Sequence, residues 1–213
     1  MQICCIADTH NVYEYLELSK GDILIHAGDI DAYKYSSELK SFVKWLDLQN
    51  FKYKIVIAGN HDGFIYNNPE AREILKGHCI YLENNGVEIE GIKIWGSPIT
   101  PRFGRWFFMV ERGKEIKRYW DMIPKDTNIL ITHGPSYGIL DRTKLFNNVG
   151  CMDLRNKIPE LKYLKFHIFG HIHEGYGKYK NLKNEKGATF INASVVNEAY
   201  ELVNEPIIVE YEM

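Results

Sequence analysis

Ile23-Leu24-Ile25-His26-Ala27, followed at once by Gly28-Asp29, decides the fold: an apolar run too short for a core helix and rich in β-branched side chains ends on a glycine turn and a carboxylate. The pattern recurs outward in both directions. Ile3 to Ala7 runs into Asp8-Thr9-His10, and Lys54 to Ala58 runs into Gly59-Asn60-His61-Asp62. Ile129 to Thr132 leads to His133-Gly134-Pro135, and Phe166 to Phe169 to Gly170-His171-Ile172-His173. Each run reads as a buried strand with polar groups at its exit.

Helical segments fall between the strands. Ser36-Ser37-Glu38 opens a stretch in which Leu39, Phe42, Val43 and Leu46 recur at helical spacing, with a serine as N-cap. Pro69-Glu70 opens a second helix over Ala71 to Lys76 that closes at Gly77. Val87 to Trp95 alternates about Glu90-Gly91 and reads as a hairpin, while strands over Ala188 to Ala193 and Ile207 to Tyr211 predict a second, more antiparallel half. There is no internal repeat, low-complexity tract or linker. The expectation is an α/β fold, a two-sheet β-sandwich of mixed strands flanked by helices, forming one domain over residues 1–213.

Bulk properties narrow the function. A chain of 213 residues with 45% hydrophobic and 25% charged residues supports one sizeable core. The formal net charge of −2 gives no field for a long polyanion, and Lys178, Lys180, Lys183 and Lys186 read as a solvated hairpin or loop, so long nucleic acid is not the expected partner. Cys4, Cys5, Cys79 and Cys151 lack a zinc-site or disulfide spacing and read as small core residues in a reducing compartment. Cys4 and Cys5, being adjacent in a strand, should point to opposite faces. No apolar stretch approaches the roughly 20 residues that span a bilayer, and the first strand begins without a signal-peptide pattern; a cytoplasmic protein is expected. A homodimer stays open, being common at this size.

The strand exits carry the chemistry. In α/β sheets ligands bind beyond the carboxyl ends of strands, and five such ends deliver Asp, His and Asn groups that can meet in one place. Asp oxygens and His nitrogens together suit borderline divalent ions, Mn first and Fe or Zn as alternatives. Two such ions roughly 3.5–4 Å apart can bridge a hydroxide and clamp a phosphoryl group. Glycines 28, 59, 134 and 170 would let the backbone turn tightly beside the charges. His26 reads either as a core histidine or as a partner to a ligating carboxylate. His167 reads as structural and His78 as exposed.

In chain order, Asp-x-His, Gly-Asp, Gly-Asn-His-Asp, His and Gly-His-x-His resemble the signature of the calcineurin-like metallophosphoesterase superfamily, and the resemblance covers nearly the whole chain. Trp95 to Pro101, Thr132 to Pro135, Phe169 to Gly177 and Ile191-Asn192-Ala193-Ser194 resemble one branch, the brain-expressed animal metallophosphoesterase-domain-containing proteins and their microbial relatives, which act on cyclic nucleotides. That resemblance implies one ion held by Asp8, His10, Asp29 and His173 and a second held by Asp29, Asn60, His133 and His171, with Asp29 shared. Some animal relatives carry glycine in place of His171, and many carry Pro-Pro where this chain has Pro135-Ser136.

The implied reaction is hydrolysis of a small phosphodiester or nucleotide by in-line attack of a metal-bridging hydroxide. With Asn60 facing the metals, adjacent His61 is the expected general acid. Asp62 is expected either to orient His61 or to cap a helix. Arg105, Trp106 and Tyr137, with Phe103, Phe107 and Tyr176, are the candidate substrate contacts, from aromatics and a cation near the motifs. Alternatives with the same centre are a phosphomonoesterase, a dinucleotide polyphosphatase or a nuclease; a non-catalytic protein-interaction module is the reading from another class.

Overall fold

A computed structural model describes residues 1–180 and 187–212. Strands β1 (Gln2–Ile6), β2 (Gly21–Ala27), β3 (Phe51–Ile57) and β4 (Ile80–Tyr81) pair in parallel. Hairpin strands β5 (Asn85–Ile89) and β6 (Ile92–Ser97) follow, then a short pair, β7 (Thr100–Pro101) and β8 (Met109–Val110). The remaining strands are β9 (Ile129–Thr132), β10 (Phe166–Phe169), β11 (Gly177–Lys180), β12 (Thr189–Asn192) and β13 (Ile207–Glu210). Helices α1 (Ser36–Asp47), α2 (Gly63–Asn67), α3 (Glu70–Leu75), α4 (Lys114–Asp121) and α5 (Met152–Lys157) lie between them.

The strands form two principal sheets, ordered β13-β1-β2-β3-β4 and β11-β12-β10-β9-β6-β5. The second sheet carries two antiparallel pairs to the first sheet's one, but its centre is parallel. Strands β6, β9, β10 and β12 run parallel, antiparallel pairing is confined to β5 and β11 at the edges, and β13 returns to the first sheet beside β1. The reason is connectivity: parallel neighbours need long crossovers, and α4 and α5 sit in the chain between β8 and β9 and between β9 and β10.

Alternation along the strands builds three layers of apolar contact. Ile3, Cys5, Ile23, Ile25 and Ile55 of the first sheet share one buried cluster with Ile94, Ile129, Ile131, Ile168 and Ile191 of the second. Their chain neighbours Cys4, Ile6, Leu24 and Val56 lie instead with Leu39, Phe42, Val43 and Leu46 of α1. Cys4 and Cys5 thus face opposite layers, and the four cysteines are free. On the far side Leu130, Phe169 and Phe190 are buried with Ile116, Trp120 and Leu154 of α4 and α5. Each fully buried aliphatic or aromatic side chain contributes about 1.5–3 kcal/mol, so the inter-sheet isoleucines are the main cohesion between the sheets.

Local expectations are refined at two points. The N-cap of α1 is Tyr35, not a serine, because the Glu38 carboxylate reaches back to accept the Lys34 and Tyr35 N–H groups at 2.8 and 2.9 Å. The Glu90-Gly91 turn has φ of 49° and 82°, both left-handed, as a tight two-residue hairpin requires. Lys178 and Lys180 are exposed on edge strand β11, while Lys183 and Lys186 lie outside the described residues. Among the described residues no helix is long and apolar enough to cross a membrane.

Two isoleucines separate core from edge. Ile25→Ala, at a position with no exposure, is expected to cost about 2–5 kcal/mol. Ile208→Ala on the β13 edge should cost less than about 1 kcal/mol. Urea midpoints at equal slope measure both, and equal losses would contradict the inter-sheet layer as the seat of stability.

Candidate metal centre

Asp8 and His10 follow β1, Asp29 follows β2, Asn60 and His61 follow β3, His133 follows β9, and His171 and His173 follow β10. Four of these, Asp8, His10, Asp29 and His171, have φ of 53°, 36°, 56° and 71°. Side chains rarely adopt this left-handed backbone, which costs about 1–3 kcal/mol per residue unless the surroundings hold it. Backbone bonds do part of that work: Asp8 N–H donates to Gly28 O at 2.9 Å and His10 N–H to Asp29 O at 3.2 Å. The Asp8 carboxylate accepts the His171 N–H, and Asp62 holds Asp29. The fully buried Asp62 carboxylate accepts the N–H groups of Gly59, Asp29, Asp31 and Ala32 at 2.7–3.1 Å and that of Ile30 at 3.4 Å. Asp62 therefore does not cap α2 with its side chain; it binds the two loops after β2 and β3 to each other, and its charge contributes to raising the His61 pKa.

Glycine enters mainly through space. A Cβ at Gly59 would lie 2.2 Å from Asp29 Oδ1, and one at Gly170 would lie 2.2 Å from Asp8 Oδ2. Neither has positive φ; of the four candidate glycines only Gly28 does.

The groups converge. Asp8, His10 and His173 offer ligand atoms within 4.8 Å of one another, as do Asp29, His133 and His171, and as do His10, Asp29 and His61. His133 Nε2 is 3.3 Å from Asp29 Oδ2 and 3.0 Å from Asn60 Oδ1, while His10 Nε2 is 3.7 Å from Asp29 Oδ2 and His173 Nε2 is 3.9 Å from Asp8 Oδ1. Two rings are oriented from behind: the Nδ1 atoms of His133 and His173 meet the carbonyl oxygens of Ala27 and Asn197 at 2.9 and 3.0 Å, which leaves each Nε2 to face a carboxylate. Asp8 Oδ2 accepts the His171 N–H at 2.8 Å and the Ser194 hydroxyl, and Asp29 Oδ1 accepts the His61 N–H at 2.8 Å.

Within the centre, the buried atoms Asp8 Oδ1 and His10 Nε2 have no hydrogen-bond partner among the described residues. An unsatisfied buried polar atom costs about 1–3 kcal/mol, and a cation between these atoms would remove that cost. The donor set thus fits a divalent metal. The electrostatics agree. Burial alone would raise the Asp29 pKa, but the rings of His133, His10 and His61 hold it well below the ordinary carboxylate range. Burial lowers His10, against Asp29 and Asp8, and lowers His171 to about 3, leaving neutral imidazoles. Burial opposes protonation of His133, yet Asp29 beside it holds the ring up at about 9. Where no cation shares the site, a proton on His133 balances Asp29.

His61 sits at the rim. Its ring stacks on Trp106 at 4.3 Å and 25°, its Nδ1 is 3.6 Å from Asp31 Oδ1, and the edge of its ring pair with His10 has a centroid distance of 4.7 Å. Burial disfavours its charged form, but Asp31 and Asp29 outweigh that and raise its pKa. Trp106 is thus brought to the centre, and Phe103 lies 5.1 Å from the His171 ring. Arg105 is exposed beside Trp106 with no ion pair among the described residues. Tyr137 is exposed and its N–H donates to Cys151 O, Phe107 packs between Tyr33 and Tyr66, and the Tyr176 hydroxyl donates to Glu205 O.

The other histidines resolve. Gly28 N–H donates to His26 Nδ1 at 3.3 Å, so His26 carries its proton on Nε2 and gives it to Thr9 Oγ1 at 3.0 Å; it is a core histidine and not a carboxylate's partner. His167 bonds Thr132 Oγ1 at 2.8 Å, and exposed His78 pairs with Asp47. Sequence reading missed Tyr200, whose ring lies 4.5 Å from His10 and 5.8 Å from His173. It follows no strand and belongs to no motif. The loop is shaped by Asn197, whose side-chain oxygen accepts from Ala199 and Glu201 N–H, and an asparagine at a turn was the available signal.

Comparison with known proteins agrees with this geometry. Metallophosphoesterase domain-containing protein 1 of Homo sapiens is 38% identical over 230 residues, covering 97% of this chain and 69% of that protein. A UPF0046 protein of Caenorhabditis elegans is 34% identical over 224 residues, covering 98% of this chain and 74% of its own length. A stretch of probable rhamnogalacturonate lyase C of Emericella nidulans is 40% identical over 190 residues, 84% of this chain but 18% of that one. A family model described as calcineurin-like phosphoesterase matches residues 1–175, a span that runs from β1 past His173 and takes in every strand end that delivers a carboxylate or imidazole to the centre. The chain belongs to the calcineurin-like phosphoesterase family and is by that membership a phosphoester hydrolase.

Proposed function

We propose that this chain, acting as one domain, is a dinuclear metal-dependent phosphodiesterase for small phosphodiesters, cyclic nucleotides among them. One ion is held by Asp8, His10, Asp29 and His173, the other by Asp29, Asn60, His133 and His171. The observation that carries the reading is the pair of buried, unpartnered atoms Asp8 Oδ1 and His10 Nε2 beside Asp29, which the surrounding rings keep ionised. Mixed oxygen and nitrogen donors favour Mn, with Fe or Zn as alternatives. When bound, such ions supply Lewis acidity toward the phosphoryl oxygens and a water made nucleophilic at neutral pH.

The chain's own residues position and protonate. Ser194 and the His171 N–H orient Asp8; the His61 N–H orients Asp29. Asn60 turns its side chain to His133, while His61 lies between His10, Asp31 and Trp106 at the rim, where it can give a proton to the departing oxygen. Arg105 and Trp106 are the proposed substrate contacts at that rim. Tyr137 lacks a contact that would support its candidacy. A net charge of −2 favours a small substrate over long nucleic acid, and four free cysteines fit a cytoplasmic, reducing setting.

Metal-stripped protein given Mn is expected to cleave bis(p-nitrophenyl) phosphate in preference to p-nitrophenyl phosphate. Preference for the monoester would favour a phosphomonoesterase, and no turnover with any divalent ion would favour the interaction module. His61→Ala should lower turnover of a cyclic nucleotide by about 10²–10⁴-fold and affect p-nitrophenyl esters less, since p-nitrophenolate departs without a proton. Equal losses would remove His61 as the acid. Chelation should lower the thermal midpoint by about 2–4 °C for each kcal/mol of linkage lost, and an unchanged midpoint after verified metal removal would contradict the ligand set.

A further inference from the structure

A cavity of about 340 Å³ opens beside His171 and is lined by Pro101, Phe103, Pro135, Val149 and Ile172. Gly134, which follows His133, completes its inner wall, so the cavity begins at the Asp29, His133 and His171 group. None of the groups around His61 lines it: Asp31, Trp106 and Tyr200 all lie elsewhere. Phosphorus held at the centre therefore has two distinct exits, one past His61 and one past His171.

The second exit is largely apolar. Arg112, the one cation in its lining, donates to Gly150 O and Val149 O at 2.8 and 2.7 Å. The Thr143 hydroxyl turns to Asn147 O at 3.5 Å, and no carboxylate lines the wall. Phe103 offers a partly exposed ring face 5.1 Å from His171. The volume falls within the range of about 300–1,000 Å³ usual for small-molecule sites and admits an aryl or nucleobase-sized group.

We infer that, for an acyclic diester, this cavity receives the ester substituent that stays on phosphorus, so that among acyclic diesters the enzyme selects those whose retained group is apolar and planar. The inference deepens the diesterase reading and rests on it. In the reaction one water is consumed: its oxygen bonds to phosphorus, the bond from phosphorus to the departing oxygen breaks, and that oxygen takes the proton from His61. The product is a monoester still carrying the cavity-bound group, and the proton lost by the attacking water returns to solvent or to His61.

The test uses the Mn-loaded full chain and two diesters with the same leaving group, bis(p-nitrophenyl) phosphate and methyl p-nitrophenyl phosphate. Val149→Trp fills the cavity from its wall, and the ratio of kcat/KM for the aryl over the methyl diester should fall about tenfold or more, mostly through KM. Val149→Ala widens it and should raise that ratio for the larger aryl group, which guards against a tryptophan variant that fails to fold. A ratio unchanged in both variants would overturn the cavity assignment while leaving the diesterase intact. Wild-type protein that cleaves p-nitrophenyl phosphate but neither diester would defeat the diesterase reading itself, and the cavity assignment with it.

Discussion

Five backbone N–H groups converge on the buried carboxylate of Asp62, and the geometry of the centre depends on that convergence. Amide donors buried at the ends of β2 and β3 would otherwise be unsatisfied, because the left-handed turns at Asp29 and Asp31 take them out of the sheet ladder. A single carboxyl group satisfies them all and fixes the spacing between the two loops. Asp29 is thereby held where His133, His10 and the His61 N–H reach its side chain together.

The same logic explains why strain and crowding concentrate here. Left-handed backbone at Asp8, His10, Asp29 and His171 turns side chains inward from strands that would alternate them between faces. The inward turn then demands room, and Gly59 and Gly170 give it by leaving a carboxylate oxygen where a Cβ would stand. Conformations of this kind persist only where surrounding contacts over-determine them, and each is tied by a backbone bond from the neighbouring strand end.

Much of this was legible in sequence because it is local. Runs of β-branched residues gave the strands, adjacency put Cys4 and Cys5 on opposite layers, and the polar residues at strand exits marked the centre. What escaped has long-range causes. Ser194 meets Asp8 across 186 positions, and β13 joins β1 from the other end of the chain. Asp62 misled because an acidic residue just before a short helix has the local look of a cap, whereas four of its five partners lie 30–33 positions away. Trp106 was found through composition, an aromatic in a glycine-rich stretch, but that criterion could not separate it from Tyr137 or Phe107, and Tyr200 met no criterion at all.

That two sheets share one centre follows from how they are joined. Ala7 forms an isolated bridge with Ser194; its N–H donates to Ala193 O, and its own carbonyl accepts from Val195 N–H. This short parallel contact stitches the exit of β1 to the exit of β12, so the carboxyl ends of both sheets open in one direction. The first sheet contributes both aspartates and the asparagine; the second contributes His133, His171 and His173. Carboxylates crowded on one side would repel each other, and imidazoles alone would bind a hard cation weakly. Facing them across a seam held by backbone hydrogen bonds gives each carboxylate an imidazole partner within 4 Å, an arrangement in which added positive charge relieves the remaining repulsion.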